Sequence, residues 1–128
     1  MANILIVDTY RTVGLLYQQI FEEEGHRVFL AFSGKEAIDW AMRERIDVAV
    51  VDQRLTDIEA EEVLEKLKHL QPHAQGTVCT VAGFEPVPRP DLCDDSFFKT
   101  SDYSELQEKI RKLLGQVSPD MSTKENDA

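Results

Sequence analysis

The sequence has few of the features that mark secreted or membrane-spanning chains. Its 128 residues include only two cysteines, Cys79 and Cys93, too few for the disulfide framework of a small secreted domain. No apolar run approaches the roughly 18 residues that a membrane-spanning helix needs, and the N-terminus lacks the basic stretch of a signal peptide. The sequence therefore predicts no membrane partner, reduced cysteines and a cytoplasmic location.

Basic residues are also scarce, because 14 Lys and Arg face 24 Asp and Glu, for a formal net charge of −10. Such a surface repels phosphate backbones, so direct nucleic-acid binding is not expected. A cation or a basic partner is the more suitable complement. The chain also lacks a Gly-rich phosphate loop, a dinucleotide-binding fingerprint and a Gly-x-Ser-x-Gly elbow, which argues against the common nucleotide-dependent enzymes and hydrolases.

Apolar runs that alternate with helical patterns are what the chain does contain. The first and third runs are uninterrupted, as in strands buried on both faces of a parallel sheet. The predicted strands are 3–7, 27–31, 47–52, 77–81 and 97–98. Helical spacing predicts helices between the first four strands and after the fifth, and capping boxes are possible at Ser33 with Glu36 and at Thr56 with Glu59. This alternation predicts an α/β fold, a flavodoxin-like doubly wound five-stranded parallel sheet in the order 2-1-3-4-5.

The segment between the fourth and fifth predicted strands is unlike a helix. It contains three alternating prolines, Pro86, Pro88 and Pro90, and each lacks an N–H and restricts the residue before it. The fourth helix of the fold is therefore expected to be lost or reduced to a brief turn. Residues 116–128 show no apolar periodicity, so we predict one domain over residues 1–115, followed by a disordered tail or the start of a linker.

Charged residues follow three of the predicted strands. Asp8 and Asp52 end the first and third strands, and Lys99 follows the fifth. In this strand order, ligands bind between strands one and three, beyond their carboxyl ends. Two adjacent carboxylates repel each other and favour a cation between them. Mg²⁺ is commonly bound by one or two carboxylates together with phosphate oxygens. A lysine at the same edge can pair with the anion. The pattern predicts a Mg²⁺ and phosphoryl site centred on Asp52; the alternative is that these acids only favour turns.

Three motifs at these strand ends resemble the signatures of response-regulator receiver domains. They are Ile4–Asp8, Val48–Leu55 and Phe97–Lys99. The resemblance covers residues 3–115 and implies a module of two-component phosphorelay signalling. It also implies a histidine kinase or phosphotransfer protein as the phosphoryl donor, and an unknown output protein as the second partner.

The resemblance implies a role for each residue of the predicted site. Asp52 would be the phosphoacceptor and Lys99 would contact the phosphoryl group. Asp8 and Asp52, with the backbone carbonyl of Arg54, would hold Mg²⁺. The chain would not be an enzyme in the usual sense, beyond self-phosphorylation from small donors and self-dephosphorylation.

Several positions depart from the family pattern. Thr9 replaces a second acid, so a hydroxyl could hold a metal-bound water but Mg²⁺ binding should be weak. The hydroxyl residue that ends the fourth strand is matched by Val81 in one register and by Thr80 in the other. The aromatic residue three positions before the lysine is replaced by Ser96.

These departures leave more than one function open. The first is a single-domain response-regulator receiver that is phosphorylated on Asp52 and has atypical switch residues. The second is a phosphorylation-independent pseudo-receiver that acts as a protein-interaction module. A flavodoxin-like flavin binder is weaker, because the loop at residues 9–12 is short and carries bulky side chains.

Overall fold

The computed structural model describes residues 1–82, 86–99 and 102–115 of the chain. Strands and helices alternate along these residues, as the apolar runs predict. The elements are β1 (Asn3–Val7), α1 (Arg11–Glu23), β2 (Arg27–Ala31), α2 (Gly34–Arg43), β3 (Val48–Asp52), α3 (Ala60–Leu70), β4 (Gly76–Val81), β5 (Asp95–Phe98) and α4 (Tyr103–Leu113). Within the described residues, no helix combines the length and the apolar character needed to cross a membrane.

The five strands form one parallel sheet in the order β2-β1-β3-β4-β5, which confirms the predicted fold. Two apolar clusters cover its opposite faces. The first packs α2 and α3 against side chains that include Val51 and Cys79. The second packs α1 and α4 against side chains that include Val50 and Val78. β1 and β3 contribute to both clusters, which explains their uninterrupted apolar runs.

The two predicted capping boxes have different outcomes. At the start of α2, Ser33 Oγ accepts a hydrogen bond from Glu36 N at 3.1 Å, so that box is confirmed. The box at Thr56 and Glu59 is wrong, because α3 begins only at Ala60 and its N-cap, Glu59, makes no side-chain capping bond. The loop before α3 instead directs the carboxylate of Asp57 toward α2.

Within the described residues 86–94, one helical turn stands where the fold normally has a helix between β4 and β5. The amides of Leu92 and Cys93 both donate to Arg89 O, at 2.8 and 3.2 Å. Arg89 has φ 44°, a left-handed conformation that few residues other than glycine adopt. The predicted reduction of the fourth helix is confirmed for residues 86–94, which we call the crossover segment. Residues 83–85 and the predicted tail, 116–128, lie outside the described residues.

The prediction of two reduced cysteines is wrong for this structure. Cys79 and Cys93 form a disulfide, with their Cα atoms 6.1 Å apart. Cys79 points from β4 toward the face covered by α2 and α3, and the crossover segment brings Cys93 back over that face. Counting cysteines did not reveal this pairing, because it depends on how the segment returns over the sheet.

Candidate functional site

The ends of three strands bring the predicted site residues to one point. Asp8 follows β1, Asp52 ends β3 and Lys99 follows β5. Lys99 Nζ lies 2.9 Å from Asp52 Oδ2 and 3.0 Å from Asp8 Oδ2. Both carboxylates are buried, with 1% of Asp8 and 3% of Asp52 exposed. The cluster lies at the carboxyl edge of the sheet, where the strand order reverses and ligands of this fold class bind.

Two carboxylates surround one ammonium group in this cluster. Burial is the largest influence on the pKa of Asp52 and raises it. The hydrogen bond from Lys99 lowers this pKa, and the negative charge of Asp8 raises it. The net result is a pKa of Asp52 above its usual value. Burial lowers the pKa of Lys99, but the hydrogen bonds to both carboxylates outweigh burial and raise it. Lys99 is therefore a fixed cation, and the remaining negative charge favours a further cation.

Several oxygen atoms beside Asp8 suit a divalent cation. Asp8 Oδ2 is buried and forms an ion pair with Lys99 Nζ at 3.0 Å, an ammonium group that it shares with Asp52. The Thr9 hydroxyl donates to the backbone carbonyl of Arg54 at 3.4 Å, so this carbonyl also lies on the side of Asp8. In residues 1–82, 86–99 and 102–115, no group of three or more His, Cys, Asp or Glu could hold a metal. Two carboxylates and one carbonyl fit Mg²⁺, which retains several waters.

The register of the sheet distinguishes the two candidate switch positions. Thr80 pairs with Asp52 on the neighbouring strand, so both side chains lie at one level and on one face of the sheet. That face also carries Val50 and Val78, two residues earlier on each strand. Thr80 Oγ1 is buried and has no hydrogen-bond partner within the described residues. Val81 is one residue further along, and its side chain points to the opposite face.

Ser96 lies away from the charged cluster. It pairs with Cys79 in the sheet, so its side chain is on the face that α2 and α3 cover. The structure therefore brings Asp8, Asp52, Lys99 and Thr80 together and leaves Ser96 on the other face.

Two tyrosines near the cluster were not predicted from the sequence. The Tyr10 ring has its centroid 5.0 Å from Lys99 Nζ, and Tyr10 N donates to Asp8 Oδ1 at 2.9 Å. Tyr17 is buried on α1; burial and the charges of Asp8 and Asp52 raise its pKa to about 12, so its hydroxyl stays protonated. The position of Tyr10, two residues after an acidic strand end, was an available signal.

Gln53 is a further residue that the sequence analysis missed. Its Nε2 donates to Pro86 O at 3.0 Å, and its Oε1 accepts from Ala82 N at 3.4 Å. The residue that follows Asp52 thus contacts both the end of β4 and the crossover segment. A single glutamine after a strand carries no sequence signal of such a contact.

Comparison with known proteins agrees with this geometry. The family model described as the response regulator receiver domain matches residues 4–111. The chain belongs to the response regulator receiver domain family. Sporulation initiation phosphotransferase F of Bacillus subtilis (strain 168) is 26% identical to this receiver domain over 120 residues, which cover 88% of this chain and 93% of that protein.

Solved structures of receiver domains have the same architecture. The CheY-like receiver domain protein of Methanospirillum hungatei JF-1 superposes with a TM-score of 0.79 at 25% identity, covering 100% of this chain and 99% of that one. TrrA of Thermotoga maritima, solved in complex with Mg²⁺–BeF, has a TM-score of 0.77 at 26% identity, with 88% and 99% covered. This receiver domain is therefore a signalling module of the two-component phosphorelay type.

Proposed function

We propose that this receiver domain accepts a phosphoryl group on Asp52 from a histidine kinase or a phosphotransfer protein in the cytoplasm. The observation that carries the proposal is the contact of Lys99 Nζ with the carboxylates of both Asp52 and Asp8. Burying two carboxylates against one ammonium group is a poor way to stabilise a fold. The same arrangement is well suited to charged phosphoryl groups.

Asp52 is the nucleophile of the proposed transfer. One of its carboxylate oxygens attacks the phosphorus of a phosphohistidine; the P–O bond forms as the P–N bond breaks, and the electron pair remains on the imidazole nitrogen. Asp52 Oδ1 accepts from Arg54 N at 3.2 Å and Oδ2 accepts from Lys99 Nζ, so both oxygens are oriented. Lys99 then balances the charge on the transferred oxygens.

Mg²⁺ would be held by Asp8, by Asp52 and by the carbonyl of Arg54, with Thr9 positioning a bound water. When bound, the ion supplies positive charge to the phosphoryl oxygens. Two buried carboxylates that share a single ammonium group support this assignment, because negative charge remains for a cation. We propose weak Mg²⁺ binding, because Thr9 brings no negative charge to the metal shell.

We assign the switch hydroxyl to Thr80. A phosphoryl oxygen on Asp52 would give the buried Thr80 Oγ1 the hydrogen-bond partner that it lacks, and a hydrogen bond to a charged group contributes about 1.5–3 kcal/mol. This is as large as a typical allosteric coupling, about 1–3 kcal/mol. Because Ser96 has no ring, we expect the response to stay within β4 and the crossover segment.

The alternative function is an interaction module that works without phosphorylation. Two replacements favour it, since Thr9 reduces the charge of the metal shell and Ser96 removes a ring from β5. In that case Asp52 would remain unmodified in the presence of a competent donor.

Intact-mass spectrometry after incubation with acetyl phosphate and Mg²⁺ tests the proposal. We expect a phosphoryl adduct on the wild-type chain and none on Asp52→Asn. Asp57→Asn is the matched control, because it removes an exposed carboxylate from the same loop and should keep the adduct. Lys99→Ala should slow adduct formation by about 100-fold. A wild-type chain that stays unmodified, with this donor and with phosphorylated phosphotransfer proteins, would favour the interaction module.

A further inference from the structure

The disulfide lies next to the proposed site. Cys79 is wholly buried, pairs with Val51 on β3, and immediately precedes Thr80, which pairs with Asp52. Cys93 is partly exposed at the end of the helical turn. The bond therefore ties the crossover segment to β4 one residue before the proposed switch hydroxyl.

The segment is also held by Val87 and Leu92, which pack against the core, whereas several of its polar contacts are exposed and weak. Gln53 Nε2 binds Pro86 O at one end. Arg89 forms ion pairs with Glu65 and Asp91, and exposed ion pairs contribute little. Since Arg89 also has φ 44°, the segment is held in a conformation that it would not favour by itself.

A pocket borders one end of the segment. A cavity of about 150 Å³ is lined by Leu92 and Asp94 on one side and by Leu67 of α3 on the other. At the end next to β5, Asp94 N donates to Thr77 O at 2.9 Å, and Thr77 N donates to Asp94 Oδ2 at 2.8 Å. The covalent bond at Cys93 thus lies between two hydrogen-bonded ends, where the noncovalent contacts with the core are those of Val87, Leu92 and Cys93 itself.

We propose that the Cys79–Cys93 disulfide is a thiol–disulfide exchange site that is reduced by a dithiol protein of the thioredoxin class, and that reduction releases the crossover segment. The proposal rests on the proposed function through the cytoplasmic location, where stable disulfides are rare and those found are usually transient or redox-sensing. Cys93 is the sulfur accessible to attack, and Cys79 is the sulfur retained in the core.

The partner dithiol supplies the two electrons that reduce the disulfide. A partner thiolate attacks Cys93 Sγ, the S–S bond breaks, and Cys79 leaves with the electron pair and takes up a proton. The second partner thiolate then attacks the mixed disulfide and displaces Cys93, which is protonated. The receiver domain gains two electrons and two protons, and the partner becomes a disulfide. The oxidised partner restores the bond by the reverse steps.

Thiol counting on the folded full chain is the first test. The probe is thioredoxin with its reductase and NADPH, followed by alkylation and intact-mass spectrometry. We expect one NADPH to be oxidised per chain and both cysteines to become alkylated; Cys93→Ala, which leaves the core cysteine in place, should consume none above background. The proposal is overturned if thioredoxin does not reduce the folded chain. It is also overturned if the purified chain has two free thiols and oxidised thioredoxin does not convert them to the Cys79–Cys93 disulfide.

Hydrogen exchange then tests release of the segment. After reduction, the backbone amides of the non-proline residues in 87–93 should exchange about tenfold faster or more, whereas those of β1 and β3 should not change. Cys93→Ala should show the fast rates with or without reductant. Equal rates in both redox states would overturn the release. Repeating both tests on Asp52→Asn keeps them independent of phosphorylation, because this variant cannot be modified yet retains the disulfide.

Discussion

Asp52 is buried beside Asp8 and receives hydrogen bonds from Lys99 Nζ and Arg54 N. Its pKa is raised, chiefly by burial, so the charged carboxylate is less favourable in the folded chain than in the unfolded chain. The folded chain binds this proton more readily, and stability is therefore lost as the pH rises through the folded-state pKa. At neutral pH the charged carboxylate of Asp52 therefore reduces the stability of the fold.

Asp52→Asn should therefore raise the free energy of unfolding at pH 7, by about 0.5–2 kcal/mol. The neutral side chain removes the repulsion from Asp8 and the cost of burying a charge. Urea denaturation at pH 7 measures the change, with Asp57→Asn as an exposed control that should give no gain. A clear loss of stability in Asp52→Asn would mean that the ion pair with Lys99 outweighs these costs.

Thr80→Val should affect stability and signalling in opposite directions. Valine keeps the shape of Thr80 and removes a buried hydroxyl that has no partner, so the unphosphorylated chain should gain about 1 kcal/mol. The NMR shifts that beryllofluoride causes in β4 and in residues 86–94 should become smaller. Val81→Thr is the matched control and should keep the shifts. Undiminished shifts in Thr80→Val would contradict the assignment.

At the scale of elements, α2 is capped from two places. Ser33 caps it locally, and Asp57, in the loop before α3, accepts from Gly34 N and Lys35 N, each at 2.9 Å. Burial acts to raise the pKa of Asp57, but these amide hydrogen bonds outweigh it, so that the pKa is lowered. The loop between Asp52 and α3 is thereby attached to α2, the other helix on that face of the sheet.

Asp57→Ala should destabilise the chain by about 1 kcal/mol, the usual cost of losing a helix cap. The difference from the wild type should be present at neutral pH and disappear as the pH falls through the lowered folded-state pKa of Asp57. Urea denaturation at neutral and acid pH measures it. A difference that persists in acid would mean that packing of the loop, rather than the charged cap, is responsible.

The sequence predicts a structural feature well when the residues that produce the feature are close together along the chain. β1 and β3 were predicted within a residue, because burial on both faces leaves an uninterrupted apolar run. The α2 cap at Ser33 follows from a three-residue spacing. The Cys79–Cys93 bond, the Gln53 contact with Pro86 and the capping by Asp57 join segments distant along the chain, so no local pattern reports them. That Thr80, rather than Val81, lies on the same face as Asp52 follows from the strand register, which one strand by itself does not reveal.

At the scale of the whole molecule, the sheet collects charged residues from the beginning, middle and end of the chain. The beginning of the chain is also bound to the fold through His26, which is buried and accepts a hydrogen bond from Ala2 N at 3.1 Å through Nδ1. Burial lowers its pKa. The neutral imidazole is therefore the form that fits the fold, and it attaches the N-terminus beside β1.

The chain should therefore become less stable as it is acidified below the ordinary histidine pKa of about 6.5. Because the folded-state pKa of His26 is lowered, its contribution is complete above that value and is lost as the pH falls toward the folded-state pKa. His26→Gln, which cannot be protonated, should flatten the pH dependence in this window. Urea denaturation between pH 5 and 7.5 measures both chains; parallel curves would exclude His26 as the cause.

The most direct test of the account is to locate the phosphoryl group. Borohydride reduces an acyl phosphate but not a free carboxylate, so it converts a phosphorylated aspartate to homoserine. After treatment with acetyl phosphate and Mg²⁺, peptide mass spectrometry should find homoserine at position 52 and unchanged aspartate at positions 8 and 57. Homoserine at another position would contradict the assignment of Asp52 as the phosphoacceptor. A chain that shows neither a phosphoryl adduct in its intact mass nor homoserine in its peptides would contradict it as well.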